Sequence, residues 1–141
     1  TDYLDGVYGD KNIFSTPRDL LKFDQARYAK DFLNPELLKK VYQGYSYESK
    51  GIRNYGLGIR MLEWENGDRF YYHNGWWHGT NSSFTHLLDS KVTIISIGNK
   101  YSNKVYSALA LSCLFEDMPV EREKFNKVMH LDNNEGEDSS E

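Results

Sequence analysis

The feature that most constrains this chain is a series of short strand patterns, separated by turn sequences, between residues 55 and 99. The first pattern alternates apolar side chains with other residues, and a period of two residues is typical of a strand. Its apolar positions are Tyr55, Leu57, Ile59 and Met61. The remaining strand patterns cover residues 69–74, 80–88 and 92–99. Because only turn sequences separate them, we expect an antiparallel meander.

The turns between these strands are marked by glycine, asparagine and aspartate. Asn66-Gly67 is a strong signal for a two-residue hairpin turn. We expect a second, glycine-flanked turn over residues 75–79 and a third at Asp89-Ser90. Gly56 and Gly58 lie on the second face of the first strand pattern. Glycine inside a strand often marks the close approach of another backbone or a ligand.

Helical patterns precede and follow the meander in the sequence. Thr16 can cap a first helix, because Pro17 suits the first helical position and Asp19 stands where a capping-box acid would. Apolar residues at helical spacing extend this helix to Phe32. Asn34-Pro35 then ends it and opens a shorter helix, which reaches about residue 42.

A last helix can begin at Ser102 or Asn103, with Leu109 and Cys113 among the residues along one side. The order of elements is therefore helices, an antiparallel meander and a helix. This order predicts an α+β fold, in which helices flank an antiparallel sheet and the C-terminal helix covers one sheet face.

Composition and charge exclude several classes of protein. The net charge is -4 and no basic block is present, so nucleic-acid binding has little support. The longest apolar stretch, Val92 to Ile97, is too short to span a membrane. Cys113 is the one cysteine, which rules out an internal disulfide and favours a small buried hydrophobe. Residues 132–141 are acidic, so we expect a disordered tail after a folded part at 1–131.

The most unusual segment is the stretch from His73 to Gly79, which places an imidazole, an amide and two tryptophans between glycines at a strand end. Glycine there lets a ligand approach the main chain closely. Strand ends also expose backbone N–H groups that can bind a developing oxyanion. Taken alone, the segment fits a hairpin corner with a hydrogen-bonded His73 better than a functional site.

Metal binding and a complete catalytic triad both lack support. His73, His78 and His86 are close in sequence, but no carboxylate or cysteine completes a recognised ligand spacing, so we expect no metal and no cofactor. No serine lies in a Gly-x-Ser-x-Gly elbow, and Ser-x-x-Lys does not occur in the chain. The residue types alone therefore predict only part of a catalytic site.

Four segments, in order, resemble the C-terminal third of serine β-lactamase-related proteins, a family that includes class C β-lactamases, D-alanyl-D-alanine carboxypeptidases and related esterases and peptidases. The segments are Gly9-Asp10 with Phe14 to Phe23, Tyr55 to Ile59, His73 to Gly75 with Gly79, and Val92 to Lys100. The resemblance implies a partial β-lactamase/transpeptidase-like fold that lacks its N-terminal part. It also implies that the serine and lysine of Ser-x-x-Lys, and the tyrosine of Tyr-x-Asn, lie upstream.

The resemblance assigns roles to matching positions. His73 stands where the family's Lys-Thr-Gly motif has its lysine, which implies electrostatic and hydrogen-bonding support of the reacting centre. Asn74 faces substrate, and Gly75 lets the strand lie close to the acyl group. The backbone N–H of Trp76 stands where the family has one oxyanion-hole donor. Trp77 is bulkier than the small residues that the family usually has here, and it can form an aromatic wall of the site. This bulk argues against β-lactams as the substrate.

These observations predict the C-terminal fragment of a serine acyl hydrolase, inactive alone, that acts on amide or ester bonds such as those of cell-wall peptides. Its expected partners are the missing N-terminal part of the parent and, through the exposed edge of the strand at 92–98, a second copy. Family members are often exported, so a periplasmic or cell-surface location is plausible. The alternative is a non-catalytic carbohydrate- or peptide-binding module, which would use Tyr71, Tyr72, Trp76 and Trp77.

Overall fold

The structure is a computed structural model that describes residues 13–29, 31–47 and 52–117. Its five strands form one antiparallel sheet in the order β1-β2-β3-β4-β5, which confirms the predicted α+β class. The elements are α1 (Pro17–Ala26), α2 (Pro35–Val41), β1 (Arg53–Tyr55), β2 (Arg60–Glu63), β3 (Arg69–Trp77), β4 (Thr80–Leu87), β5 (Val92–Gly98) and a 3₁₀ helix (Asn103–Leu114). Gly9-Asp10, His130, the boundary at 131 and the acidic tail lie outside the described residues.

The first helix begins as the sequence predicts and ends earlier. The Asp19 backbone N–H donates to Thr16 Oγ1 at 3.2 Å, and the Thr16 hydroxyl donates to Asp19 Oδ2 at 3.0 Å. The expected extension to Phe32 is wrong, because α1 ends at Ala26 and turns follow. After that point the backbone N–H groups donate to the carbonyl oxygen three residues earlier, as in the hydrogen bond from the Ala29 N–H to the Ala26 carbonyl oxygen at 2.9 Å. The tighter spacing ends the α-helix.

The predicted strand over residues 55–61 is in fact two strands. β1 ends at Tyr55, a turn follows, and β2 begins at Arg60. Gly58 has a φ of 73°, which glycine adopts without strain. A Cβ at Gly56 would lie 2.2 Å from the Val41 carbonyl oxygen, so this glycine permits the close backbone approach that the sequence suggested.

The hairpin at Asn66-Gly67 forms, but its loop is longer than two residues. Glu63 pairs with Arg69, and within the loop only Gly67 has a positive φ, of 91°. The two-residue turn lies instead at His78-Gly79, where φ is 45° and 76° and Trp77 pairs with Thr80. Positive φ at both central residues is the type I′ geometry, which matches the twist of paired strands. β3 therefore continues to Trp77, beyond its predicted end at Asn74.

The two faces of the sheet carry different helices. The 3₁₀ helix covers one face, where Leu109 and Ala110 pack against buried strand residues. Those strand residues are Leu62, Phe70, Tyr72 and Leu87. Cys113 packs partly buried against the same cluster. In a 3₁₀ helix side chains three residues apart share a face, which explains why Leu109 and Ser112 are both buried.

The other face of the sheet is covered by α1 and α2. Met61, Ile59 and Tyr71 form a second apolar cluster with Tyr42, and side chains of α2 pack against it. Phe23 is exposed, and the buried residue of α1 is Asp24. No described helix is long and apolar enough to cross a membrane.

Candidate functional site

One edge of β3 is open over the segment that the sequence singled out. β4 pairs with β3 from Tyr71 to Trp77, whereas β2 pairs with it only from Arg69 to Tyr72. No described strand pairs with the second edge of residues 73–77. Among the described residues, no strand takes up the backbone hydrogen-bonding groups on that edge, and such groups can bind a ligand or another segment. We call residues 73–77 the open edge.

The turn at His78-Gly79 determines which backbone groups face outward. A two-residue turn makes Trp77 and Thr80 a hydrogen-bonded pair, so the next pair, Trp76 with Asn81, is not hydrogen-bonded. The alternation continues along the strand and directs the N–H groups of Trp76 and Asn74 away from β4. The structure thus places the Trp76 N–H, which the resemblance singled out, on the open edge.

Gly75 lies between these two outward-facing groups. A Cβ at this position would lie 2.4 Å from Ser82 Oγ on the paired strand, so a side chain here would displace its neighbour. The absence of a side chain also leaves the main chain accessible from that face. Gly75 therefore keeps the backbone of the open edge approachable.

His73 is half-buried at the start of the open edge, and the Tyr55 hydroxyl lies 2.9 Å from its Nε2. The two rings stand edge to face with centroids 6.2 Å apart. Burial lowers the pKa of His73, and the positive charge of Arg60 lowers it further. The imidazole is therefore neutral at neutral pH, unlike the lysine of Lys-Thr-Gly. His73 is therefore hydrogen-bonded and lies at the start of the open edge.

The remaining candidate side chains divide between the two faces of β3. By strand alternation Asn74 and Trp76 share one face, and His73 and Trp77 share the other. Trp76 is 63% exposed. The Trp77 ring packs against the His78 ring, with the two ring centroids 4.6 Å apart. Among the described residues, Asn74 Oδ1 is buried without a hydrogen-bond partner. The candidate residues therefore share a strand edge and do not converge on one enclosed pocket.

Because the resemblance implies that Tyr-x-Asn lies upstream, we expect none in this chain. This expectation is wrong, since the letters occur at Tyr72–Asn74 and at Tyr101–Asn103. Tyr72 is buried in the cluster beneath the 3₁₀ helix, and burial raises the pKa of its phenol. Tyr101 is exposed in the segment that precedes that helix. Tyr72 points to the opposite face of β3 from His73, and Tyr101 lies outside the strands, so neither is shown beside His73 in the role that the family gives to this motif.

Sequence reasoning missed a buried polar cluster between α1 and the sheet. Asp24 Oδ1 lies 2.8 Å from His86 Nδ1, and Arg27 Nη2 lies 2.8 Å from the same nitrogen. Arg27 also donates to Asp24 and to the Tyr42 hydroxyl, and the Thr93 hydroxyl donates to Asp24. We call these five residues the Asp24 cluster. Its sequence signal is an acid near the end of α1 and a base three residues later, directly after the helix.

The charges within the Asp24 cluster follow from its contacts. Burial would raise the pKa of Asp24, but hydrogen bonds from His86, Thr93 and Arg27 together lower it below its ordinary value. Burial lowers the pKa of His86, and the Arg27 charge adds to this, although Asp24 opposes it. Burial raises the pKa of Tyr42 to about 12. At neutral pH the cluster therefore contains one carboxylate, one guanidinium and a neutral imidazole, and its role is to hold α1 on the sheet.

His86 was one of three histidines considered as metal ligands, and its contacts in the Asp24 cluster occupy it. Within residues 13–29, 31–47 and 52–117 no group of three or more His, Cys, Asp or Glu side chains could hold a metal ion. A pocket lined by Asp68, Asp89 and Glu116 lies near the first residues of β3, away from the open edge.

Comparison with known proteins adds a relationship to this geometry. No family model matches the chain, and no solved structure matches it. The sequence is 28% identical over 109 residues to penicillin-binding protein 4* of Bacillus subtilis (strain 168), a match that covers 77% of this chain and 24% of the relative. The chain thus spans about a quarter of the length of that curated relative. The likeness relates this chain, at the level of family, to penicillin-binding-protein-like proteins.

Proposed function

We propose that this chain is part of a serine acyl hydrolase of the β-lactamase-related type, which cleaves amide or ester bonds through an acyl-serine. The observation that carries the proposal is the open edge of β3, where the register directs the Trp76 N–H away from β4. The relationship to a penicillin-binding protein supports the same class of chemistry. In this proposal the chain has a partial β-lactamase/transpeptidase-like fold and forms one wall of the cleft.

The proposed mechanism uses the backbone of the open edge to stabilise developing charge. When a serine attacks a carbonyl carbon, the carbonyl oxygen becomes an oxyanion, and N–H groups aimed at that oxygen lower the barrier. The Trp76 N–H is one such donor, and the N–H of the nucleophilic serine, outside this chain, is the second. Gly75 lets the acyl group lie against the strand. Because the chain contains no Ser-x-x-Lys, it is inactive alone.

His73 contributes hydrogen bonds rather than a fixed charge. Its Nε2 is held by Tyr55, and its lowered pKa keeps the ring neutral at neutral pH. A neutral imidazole offers no positive charge to an anionic substrate group, whereas a lysine would. We therefore propose an uncharged amide or ester next to His73 as the substrate, with cell-wall peptides as the first class to test. Asn74 and the Trp77 ring line the approach to the open edge.

The partner that this proposal requires is the rest of a longer protein. β5 is the last strand of the sheet, and no described strand pairs with its outer edge. All of its residues are half-buried. We propose that an N-terminal strand of the longer protein pairs there, and that a second copy does so when that strand is absent. Light scattering of the 141-residue chain tests this, because a monomer with the β5 edge open to solvent contradicts it.

Covalent labelling tests the proposed activity. A fluorophosphonate probe applied to the longer protein should label one serine in a Ser-x-x-Lys sequence upstream of residue 1, as identified by peptide mass spectrometry. His73→Ala should lower the labelling rate by about tenfold or more, because it removes hydrogen-bonding support of the reacting centre. Asp31→Asn, at an exposed position outside the open edge, is the control and should label at the wild-type rate. Absence of labelling, or a labelled serine within this chain, contradicts the proposal.

The alternative function is a non-catalytic module that binds carbohydrate or peptide through four aromatic residues. Tyr71 and Tyr72 are 6% and 7% exposed, so two of those residues are core residues. Trp76 alone among the four is strongly exposed. The burial of the tyrosines favours the hydrolase.

A further inference from the structure

A chain of hydrogen bonds runs from the start of the 3₁₀ helix to the backbone of the open edge. The Ser102 backbone N–H donates to Asn81 Oδ1 at 3.0 Å. Asn81 Nδ2 donates to the Tyr106 hydroxyl oxygen at 2.8 Å, and the Tyr106 hydroxyl donates to the Gly75 carbonyl oxygen at 3.0 Å. Asn81 is 1% exposed, so water does not compete for its amide. We call this series the Tyr106 relay.

The direction of each bond in the Tyr106 relay is determined by chemistry. The Ser102 N–H can only donate, so the Asn81 oxygen faces it and the Asn81 nitrogen faces Tyr106. An amide nitrogen donates and does not accept, and therefore the Tyr106 oxygen receives this bond. The single hydroxyl proton of Tyr106 is then available to the Gly75 carbonyl.

The relay ends on the peptide group that carries the proposed oxyanion donor. The Gly75 carbonyl and the Trp76 N–H belong to one planar trans peptide, so they point in opposite directions. The carbonyl points toward β4 and Tyr106, while the N–H points out of the open edge. Gly75 and Ser82 form a hydrogen-bonded pair by the strand register, so Tyr106 supplies the carbonyl with a second donor beyond the sheet ladder.

We propose that Tyr106, held by Asn81, is a positioning residue that orients and polarises the Gly75–Trp76 peptide for oxyanion binding. A hydrogen bond to a peptide carbonyl strengthens the N–H of the same peptide as a donor, because hydrogen bonds in a chain polarise one another. It also fixes the plane of the peptide before any substrate arrives. This inference rests on the proposed hydrolase function.

The first test uses the 141-residue chain and nuclear magnetic resonance. Tyr106→Phe keeps the ring and removes the hydroxyl, so the Gly75 carbonyl carbon and the Trp76 amide proton should both move upfield. Replacement of Tyr106 by 3-fluorotyrosine strengthens the hydroxyl as a donor and should move both signals downfield. Tyr101→Phe is the control, because Tyr101 is 53% exposed and outside the relay. Signals that do not respond to either change at position 106 overturn the inference.

The second test uses the longer protein and steady-state kinetics. Tyr106→Phe should lower kcat by roughly tenfold and leave KM within about twofold, because the relay acts on a bond that strengthens in the transition state. Asn81→Asp should act in the same direction, since a carboxylate there accepts the Tyr106 proton and withdraws it from the Gly75 carbonyl. Tyr101→Phe should retain both constants. A merely structural role would lower the unfolding midpoint without separating kcat from KM.

The outcomes separate this inference from the function on which it rests. A wild-type longer protein without hydrolysis and without a labelled serine overturns both proposals. An active wild type whose Tyr106→Phe variant retains its kcat overturns the Tyr106 relay alone. A lowered kcat together with the upfield shifts supports both.

Discussion

The 3₁₀ helix and α1 are held on opposite faces of the sheet by different kinds of contact. Beneath the 3₁₀ helix, Phe70, Leu62 and Leu109 are fully buried and the stabilisation comes from apolar area removed from water. On the α1 side, Asp24 and Arg27 are buried instead, and they depend on each other and on His86 for hydrogen bonds. A substitution on the apolar face should lower the unfolding free energy in proportion to the apolar area that it removes from the core. A buried charged cluster fails when one partner is removed, because the remaining charge is left uncompensated.

The largest effect should therefore come from the α1 side. Asp24→Asn keeps the side-chain shape but leaves the Arg27 guanidinium buried without its carboxylate, which should cost about 3–5 kcal/mol of unfolding free energy. Urea unfolding of the 141-residue chain measures this loss. Asp31→Asn, at an exposed position, is the control and should retain the wild-type midpoint. A loss at Asp24 below about 1 kcal/mol, the net worth of an ordinary hydrogen bond, would show that the cluster does not secure α1.

The apolar face should respond almost as strongly, and without dependence on pH. Leu109→Ala leaves a cavity beneath the 3₁₀ helix and should cost about 2–5 kcal/mol. Leu111→Ala is the matched control in the same helix, because Leu111 is 40% exposed. Urea midpoints at pH 7.5 and 5.0 should differ by the same amount in Leu109→Ala as in the wild type. Equal losses at positions 109 and 111 would contradict the packing described.

A smaller effect should appear as a pH dependence, to which the α1 side contributes through His86 and the open edge through His73, because burial lowers both pKa values. The pKa of His86 is lower in the folded state than in the unfolded chain, so the unfolded state binds more protons as the pH falls below about 6.5. Stability should therefore be lower at pH 5.0 than at pH 7.5, a window in which Asp24 stays ionised. His86→Asn provides an N–H donor for Asp24 and should reduce the difference between the two midpoints. A variant with the same difference as the wild type would rule out His86 as a source.

The smallest effect concerns the hydrogen bond beside the open edge. Tyr55→Phe removes the hydroxyl that contacts His73 Nε2 and should change the unfolding free energy by less than about 1 kcal/mol, since the bond is exposed. Nuclear magnetic resonance of the His73 ring should nevertheless show altered nitrogen shifts, because Nε2 loses its partner. Unchanged nitrogen shifts would mean that the two side chains do not interact in solution.

The sequence predicts the apolar face well and the charged face poorly, and the reason is physical. The bounds of β4 and β5 agree with the prediction within one residue at each end, because turn sequences mark where these strands begin and end. The sequence pattern does not indicate that Asp24 and Arg27 are buried, because periodicity assigns charged side chains to solvent and contains no information about a buried partner such as His86. Sequence also cannot distinguish a 3₁₀ helix from an α-helix over residues 103–114, since both suit the same apolar spacing.

The open edge shows the same division between local and long-range information. Its residues are visible in the sequence as an unusual cluster, but its extent depends on the turn, in which His78 adopts a left-handed conformation that is uncommon for residues other than glycine. Tyr106 lies 31 residues from the carbonyl that it contacts, so no local pattern could connect the two. Registers and long-range hydrogen bonds, rather than motifs, define this candidate site.

The most direct test of the account is a crystal structure of the longer protein with a fluorophosphonate-derived adduct on its labelled serine. The adduct's phosphoryl oxygen occupies the place of the oxyanion. We predict that this oxygen lies about 2.7–3.1 Å from the backbone nitrogen of Trp76, and that the Tyr106 hydroxyl still donates its hydrogen bond to the Gly75 carbonyl. An adduct oxygen bound elsewhere, or an additional strand paired along residues 73–77, would contradict it.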